Sequence, residues 1–238
     1  MPQLSRRRSG FKHLLILPAL GGLVLLLSGC QEGAGGMGGQ ARGLVGVRET
    51  GDRYYVTKDY QQALDNYQEY VDRAPGNPYV HAQMGRTYMA LGQFPAACEQ
   101  LRIAHSVDRR SDEITESLCE ALLGAGQQEE LYRLTRQIAE ENQGVQDYFR
   151  LARFSMKMND ADEARRALLT AAKLDGGKTV RPQLALAEFY ASVGDERNAV
   201  QRLRMAYFIE PGNARTNELI RTFGQVPGPT FGVPPQER

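Results

Sequence analysis

Two patterns of apolar residues divide the chain. Leu14 to Leu27 is a fourteen-residue apolar run, interrupted only by Pro18 and the pair Gly21-Gly22. From Leu44 onward apolar residues recur three and four apart, the spacing of one helix face, and the motif repeats about every 34 residues. Counting Leu44 as position 1, Gly51, Tyr54, Tyr60, Ala63, Tyr67 and Pro75 occupy positions 8, 11, 17, 20, 24 and 32. A second unit from Pro78 sets Met84-Gly85, Tyr88, Gly92, Phe94, Ala97 and Ala104 in the same places, and a unit from Val180 does so with Leu186-Ala187, Tyr190, Gly194, Ala199, Ala206 and Pro211. Two weaker copies lie between. The unit from Val145 has Asn159 where Gly is usual, and the unit from Asp112 has Cys119 at position 8 and Leu131 at position 20.

This spacing predicts two amphipathic helices per unit, the first over positions 1–14 and the second from about position 17. Gly or Asn at position 15 ends the first helix in the left-handed conformation. Small residues at positions 8 and 20 let helices cross closely, aromatics at 11, 17 and 24 fill the adjoining space, and proline at 32 stops the second helix. No unit covers its own apolar face, so the units must stack. The expectation is an all-α array over residues 44–224, with repeats starting near 44, 78, 112, 145 and 180. A capping helix follows at 214–223, carrying Leu219, Ile220 and Phe223, and a disordered Pro/Gly-rich tail at 225–238.

The units resemble the tetratricopeptide repeat, with its Leu-Gly-x-x-Tyr, Ala-x-x-x-Phe and Pro pattern. The resemblance implies a right-handed superhelix of about five hairpins plus the cap, an α-solenoid whose first helices line a concave groove for protein or peptide partners. In that family positions 2, 5, 9, 12 and 13 face the groove. Carried over, they give Arg48, Asp52 and Tyr55; Tyr79, Arg86 and Met89; Glu113, Glu116 and Glu120; Phe149, Arg153 and Met156; and Arg181, Leu184 and Glu188. The groove is expected to be mixed, with aromatic and Met contacts, an acidic patch in the middle and arginines on either side. Aromatic, Met and Arg side chains suit a protein interface. Position 9 reads Asp52, Arg86, Glu120, Arg153 and Glu188, which departs from the Lys and Asn clamp that some members use for chaperone tails.

The first forty-three residues follow another logic. Arg6, Arg7, Arg8 and Lys12 precede the apolar run, and no acid appears before Glu32. The run has the length of a secretory h-region and falls short of the roughly 20 residues of a spanning helix. Its terminal position, basic flank and helix breakers argue against a buried core helix. Leu27-Ser28-Gly29-Cys30 resembles the lipobox of bacterial lipoproteins, which implies removal of residues 1–29 and lipidation of Cys30. An ordinary signal peptide followed by cysteine is the other reading, and the spacing around Ser5-Arg6-Arg7 is wrong for twin-arginine export. One acyl chain holds a membrane marginally and two or three hold it stably. Gln31, where inner-membrane lipoproteins often carry Asp, favours the outer membrane of a bacterial envelope. Residues 31–43 hold six glycines and read as a tether spanning about 20 Å on average.

Charge narrows the function. The whole chain is +1; without residues 1–29 it has 25 Lys plus Arg against 28 Asp plus Glu, or −3. It therefore lacks the basic excess that nucleic-acid binding requires. No phosphate loop, GxSxG, HExxH or CxxC occurs, and Glu129-Glu130 and Glu140-Glu141 fit solvated helix faces, so neither an enzyme, a cofactor, a metal nor a small-molecule substrate is expected. His81 and His105, at positions 4 and 28, read as packing residues. Cys98 and Cys119 read as buried thiols, with a disulfide the alternative in an oxidising compartment. The residues point to an envelope scaffold similar in plan to pilotins of type IV pili or the tetratricopeptide lipoprotein of outer-membrane protein insertion. The alternatives are an accessory subunit of an envelope enzyme or export system, and self-assembly through the solenoid ends.

Overall fold

The structure, a computed structural model, describes residues 43–236, and the expected leader, Cys30 and the tether up to residue 42 lie outside it. Eleven α-helices and no strand occur among the described residues. They pair in chain order: α1 (Leu44–Val56) with α2 (Tyr60–Arg73), α3 (Pro78–Ala90) with α4 (Phe94–Val107), and α5 (Asp112–Gly124) with α6 (Gln128–Asn142). Two more hairpins follow, α7 (Val145–Lys157) with α8 (Ala161–Asp175) and α9 (Arg181–Ser192) with α10 (Glu196–Ile209), before the final helix α11 (Ala214–Thr222). The fold is an all-α tetratricopeptide-repeat solenoid of five hairpins and a cap. No helix among the described residues is long and apolar enough to cross a membrane.

One turn geometry makes the hairpins alike. The second residue after each first helix is left-handed: Lys58 (φ 66°), Gly92, Gly126, Asn159 (φ 61°) and Gly194. Each turn closes by a bond from the next amide back to the last helical turn, such as Asp59 N to Tyr54 O at 2.9 Å and Asp195 N to Tyr190 O at 2.8 Å. These reach five residues back and satisfy carbonyls that the helix end leaves open. Lys58 is the exception in chemistry, since neither Gly nor Asn, the residues that adopt this conformation readily, stands there. Helix starts are capped by Asn77, Ser111, Asp160, Asp195 and Asn213, whose side chains accept first-turn amides.

Close crossing at position 8 marks the first two hairpins. A Cβ added at Gly51 would stand 2.7 Å from the Tyr67 ring, and one at Gly85 would stand 2.5 Å from Leu101 Cγ. Around these crossings run the buried residues, including Tyr67, Met84, Leu101, Leu122, Leu131, Phe154, Leu186 and Leu203. Cys98 and Cys119 are buried free thiols in the same core cluster. Burial pushes the Cys98 thiol up and carries Cys119 to about 12, so neither is a reactive thiolate at neutral pH. His81 is structural: its Nε2 donates to Pro75 O at 2.8 Å and its Nδ1 lies 2.8 Å from Gln100 Oε1, tying α3 to α4.

The tail departs from expectation. Residues 225–236 form no helix or strand, yet they lie along α10 rather than as free coil. The Phe231 ring meets Tyr207 edge-on at 5.8 Å, Arg204 Nε donates to Phe231 O at 2.9 Å, and Val233 N donates to Arg204 O at 3.1 Å. Composition reads such a segment as disordered because Pro and Gly forbid regular structure. They do not forbid an irregular chain from finding an aromatic partner and two hydrogen bonds.

Candidate functional site

The first helices, α1, α3, α5, α7 and α9, carry all the expected groove residues. Side chains on this face reach from each hairpin to the next. Arg48 stacks over the Tyr79 ring at 5.5 Å, and Arg86 pairs with Glu113 at 2.8 Å and donates to Ser117 Oγ at 3.1 Å. Glu116 accepts from Arg153 and lies 3.6 Å from Arg150 Nε. Arg181 sits 4.5 Å over the Phe149 ring and donates to Gln146 at 2.8 Å, and Glu188 accepts from Arg215 of α11 at 2.9 Å. A ladder of at least one contact per joint thus runs the length of the face.

This ladder changes the expected electrostatics. The acidic patch of α5 is largely neutralised, because Glu113 and Glu116 are held by arginines of α3 and α7, while Glu120 stays exposed. Most of these pairs are half-exposed and contribute about 0–1 kcal/mol each. The joint between α5 and α7 differs. Arg150 is 6 % exposed and pairs with Asp112 and with the buried Asp147 at 2.7 Å. Burial works against its charge, but these carboxylates hold its pKa above the usual arginine value. Position counting did not single out Asp112, Asp147 or Arg150. Opposite charges about one repeat apart, here Asp112 and Arg150, are the signal that would have found them.

Only part of the expected set converges. Phe149, Arg153, Met156, Arg181 and Glu188, with Leu184, line one cavity of about 560 Å3 between α7 and α9. Ala152, Ala185, Leu168 and Phe189 complete its apolar wall, and Lys157 joins the charged rim. Small residues at 152 and 185 leave the space that larger ones would fill. Tyr55, Tyr79, Arg86, Met89, Glu116 and Glu120 lie outside it. Tyr55 packs against Tyr60 with ring centroids 5.9 Å apart, and Met89 is half-buried against the core. Tyr79 accepts from Gln83 Nε2 at 3.1 Å, and burial followed by Asp52 raises its phenol above the ordinary value. No group of His, Cys, Asp and Glu able to hold a metal occurs among the described residues.

An all-α tetratricopeptide-repeat solenoid with a cross-linked first-helix face and an apolar cavity between α7 and α9 is the class that fold and site define. The family model "Tetratricopeptide repeat" matches residues 57–114. Among solved structures, the crystal structure of MamA protein is 20% identical with a TM-score of 0.54, covering 78% of this chain and 98% of that one. MamA 41-end from Desulfovibrio magneticus RS-1 is 15% identical with a TM-score of 0.53, covering 72% and 97%. Pseudomonas aeruginosa pilF is 16% identical with a TM-score of 0.51, covering 76% and 84%. At these identities the likeness is one of fold. No curated protein matches the sequence.

Proposed function

We propose that this chain is a membrane-tethered scaffold of the bacterial envelope that captures an extended segment of a partner protein and so assists assembly of an envelope complex. The cavity between α7 and α9 carries the reading. It is large enough for one or two apolar side chains, within the range of ligand pockets. Its rim offers Arg153, Arg181 and Lys157 against Glu188, so an apolar residue flanked by carboxylates is the matched ligand. Because Arg153, Arg181 and Glu188 already have partners, they are held in place before binding and lose little freedom on it. The sequence Leu27-Ser28-Gly29-Cys30 supports the anchor, and Gln31 favours the outer membrane. Tethering would raise the local concentration of scaffold at the membrane.

Two measurements test this. A photo-crosslinking residue placed at Ser192, on the cavity rim, should trap a partner in cells, and Ala185→Trp, which fills the cavity, should abolish the adduct. A persistent adduct from a Trp variant that keeps its helical circular dichroism refutes capture there. For the anchor, Cys30→Ser should lose palmitate labelling and leave the membrane fraction; a labelled variant rejects it.

A further inference from the structure

The second helices hold a cleft that the groove does not use. It lies between α4 and α6, has a volume of about 550 Å3, and is floored by Leu118, Leu134 and Ile138. Four arginines line it, Arg102, Arg109, Arg110 and Arg133, against two carboxylates, Glu130 and Glu141. Arg102 is already committed: its Nε and Nη2 each donate to Glu130 at 2.8 Å, and Nη2 also donates to Gln127 at 2.7 Å. Glu141 accepts from Gln137 at 2.7 Å. The guanidinium groups of Arg109, Arg110 and Arg133 make no hydrogen bond or ion pair among the described residues. On the first-helix face, by contrast, Arg86, Arg150, Arg153 and Arg181 all have partners.

His105, on α4 and lining the cleft, registers the resulting field. Burial lowers its imidazole pKa from the ordinary value and Arg109 lowers it further, while Asp108 acts the other way. An apolar floor strengthens the attraction such a cluster exerts on an anion, because the effective dielectric there is below that of water. Geometry selects the anion. Glu130 demonstrates inside the cleft that one guanidinium saturates a planar carboxylate. Three further forks, two from the turn after α4 and one from α6, call for a group with more acceptor oxygens.

We propose that this cleft binds a phosphate ester, its oxygens held by Arg109, Arg110 and Arg133 and its organic group lying on the apolar floor. Free phosphate is smaller than the cleft, so an esterified phosphate fits better than the bare ion. The source is either a soluble ester or a phospholipid headgroup, and the chemistry of recognition is the same.

The test uses the purified full chain at low salt. Calorimetric titration with glycerol 3-phosphate should show saturable binding, with inorganic phosphate weaker. Flotation compares neutral vesicles with vesicles containing phosphatidic acid, so that any anchor contributes equally to both. The double variant Arg109→Gln/Arg133→Gln should bind the phosphate probe at least about tenfold more weakly at an unchanged melting temperature. Arg197→Gln/Arg221→Gln, which removes the same charge outside the cleft, should bind as the parent does. Binding of the soluble ester assigns a soluble ligand, and binding confined to phosphatidic acid vesicles assigns a headgroup. Absence of saturable binding to every phosphate probe, equal loss in both double variants, or competition by succinate as strong as by the ester overturns the proposal.

Discussion

Gly85→Ala probes the close crossing of α3 and α4. The new Cβ would stand 2.5 Å from Leu101 Cγ and 3.0 Å from both its methyl carbons. Carbon atoms in contact sit about 3.5–4.0 Å apart, so α3 and α4 must separate by about 1 Å or Leu101 must change rotamer. Leu101 has no exposed surface and is enclosed by the cluster that includes Ala82, Ala97 and Leu122, which leaves it nowhere to turn. Overpacking of this kind costs about 1–3 kcal/mol, and replacing a mid-helix glycine by alanine returns up to about 1 kcal/mol. The expected net loss is about 1–2 kcal/mol, or a fall of about 3–6 °C in melting temperature for an array of this size. Thermal unfolding followed by circular dichroism at 222 nm reads it. Alanine occupies the equivalent place in the fourth and fifth repeats, at Ala152 and Ala187, so the residue is excluded by the α3–α4 spacing and not by its nature. The double variant Gly85→Ala/Leu101→Ala should therefore lose less than the sum of its parts by at least about 0.5 kcal/mol. A Gly85→Ala protein that melts at or above the parent temperature, or strict additivity in the pair, refutes the reasoning.

Three further outcomes are expected. Lys58→Gly relieves a left-handed residue that is exposed and should raise the melting temperature, the gain being up to about 1 kcal/mol; a lower midpoint counts against strain at that turn. Arg150→Ala leaves Asp147 buried without its cation and should cost about 3–5 kcal/mol in urea unfolding, far more than Arg153→Ala, whose half-exposed pair is worth at most about 1 kcal/mol; equal costs contradict the burial argument. The bond from Arg102 holds the Glu130 carboxyl below the usual carboxylate range, so its contribution is present above about pH 4.5 and fades as pH falls through the folded value. The difference in melting temperature between the parent and Arg102→Met should thus be largest near pH 6–7 and shrink progressively on acidification below about pH 4.5, and a difference constant with pH would be incompatible with it.

The array was legible because its determinants are local. Gly51 and Gly85 at the crossings and Gly92, Gly126, Asn159 and Gly194 at the turns each act within one unit, so periodicity alone places the helices. Lys58 shows the limit: it adopts the turn geometry without the residue type that announces it. The candidate site was half legible. Position counting selected Phe149, Arg153, Met156, Arg181 and Glu188, which do surround one cavity, but it gave Tyr55 and Glu116 equal standing, and they do not reach it. Which first-helix residues meet depends on how one repeat sits on the next, and that spacing differs from joint to joint. The same dependence hid the neutralisation of Glu113 and Glu116 and the cleft between α4 and α6, whose arginines are spread over about thirty residues.

The docked C-terminal segment has a practical consequence. Phe231 shields one side of Tyr207, and a Cβ added at Gly232 would stand 3.3 Å from Phe208 Cα. Trimming the polypeptide at Gly224 would bare the Tyr207 ring beside the already solvent-facing Phe208, giving α10 a sticky aromatic pair. Residues 225–236 therefore cover aromatic surface of α10, and shortened versions are expected to self-associate more readily as concentration rises.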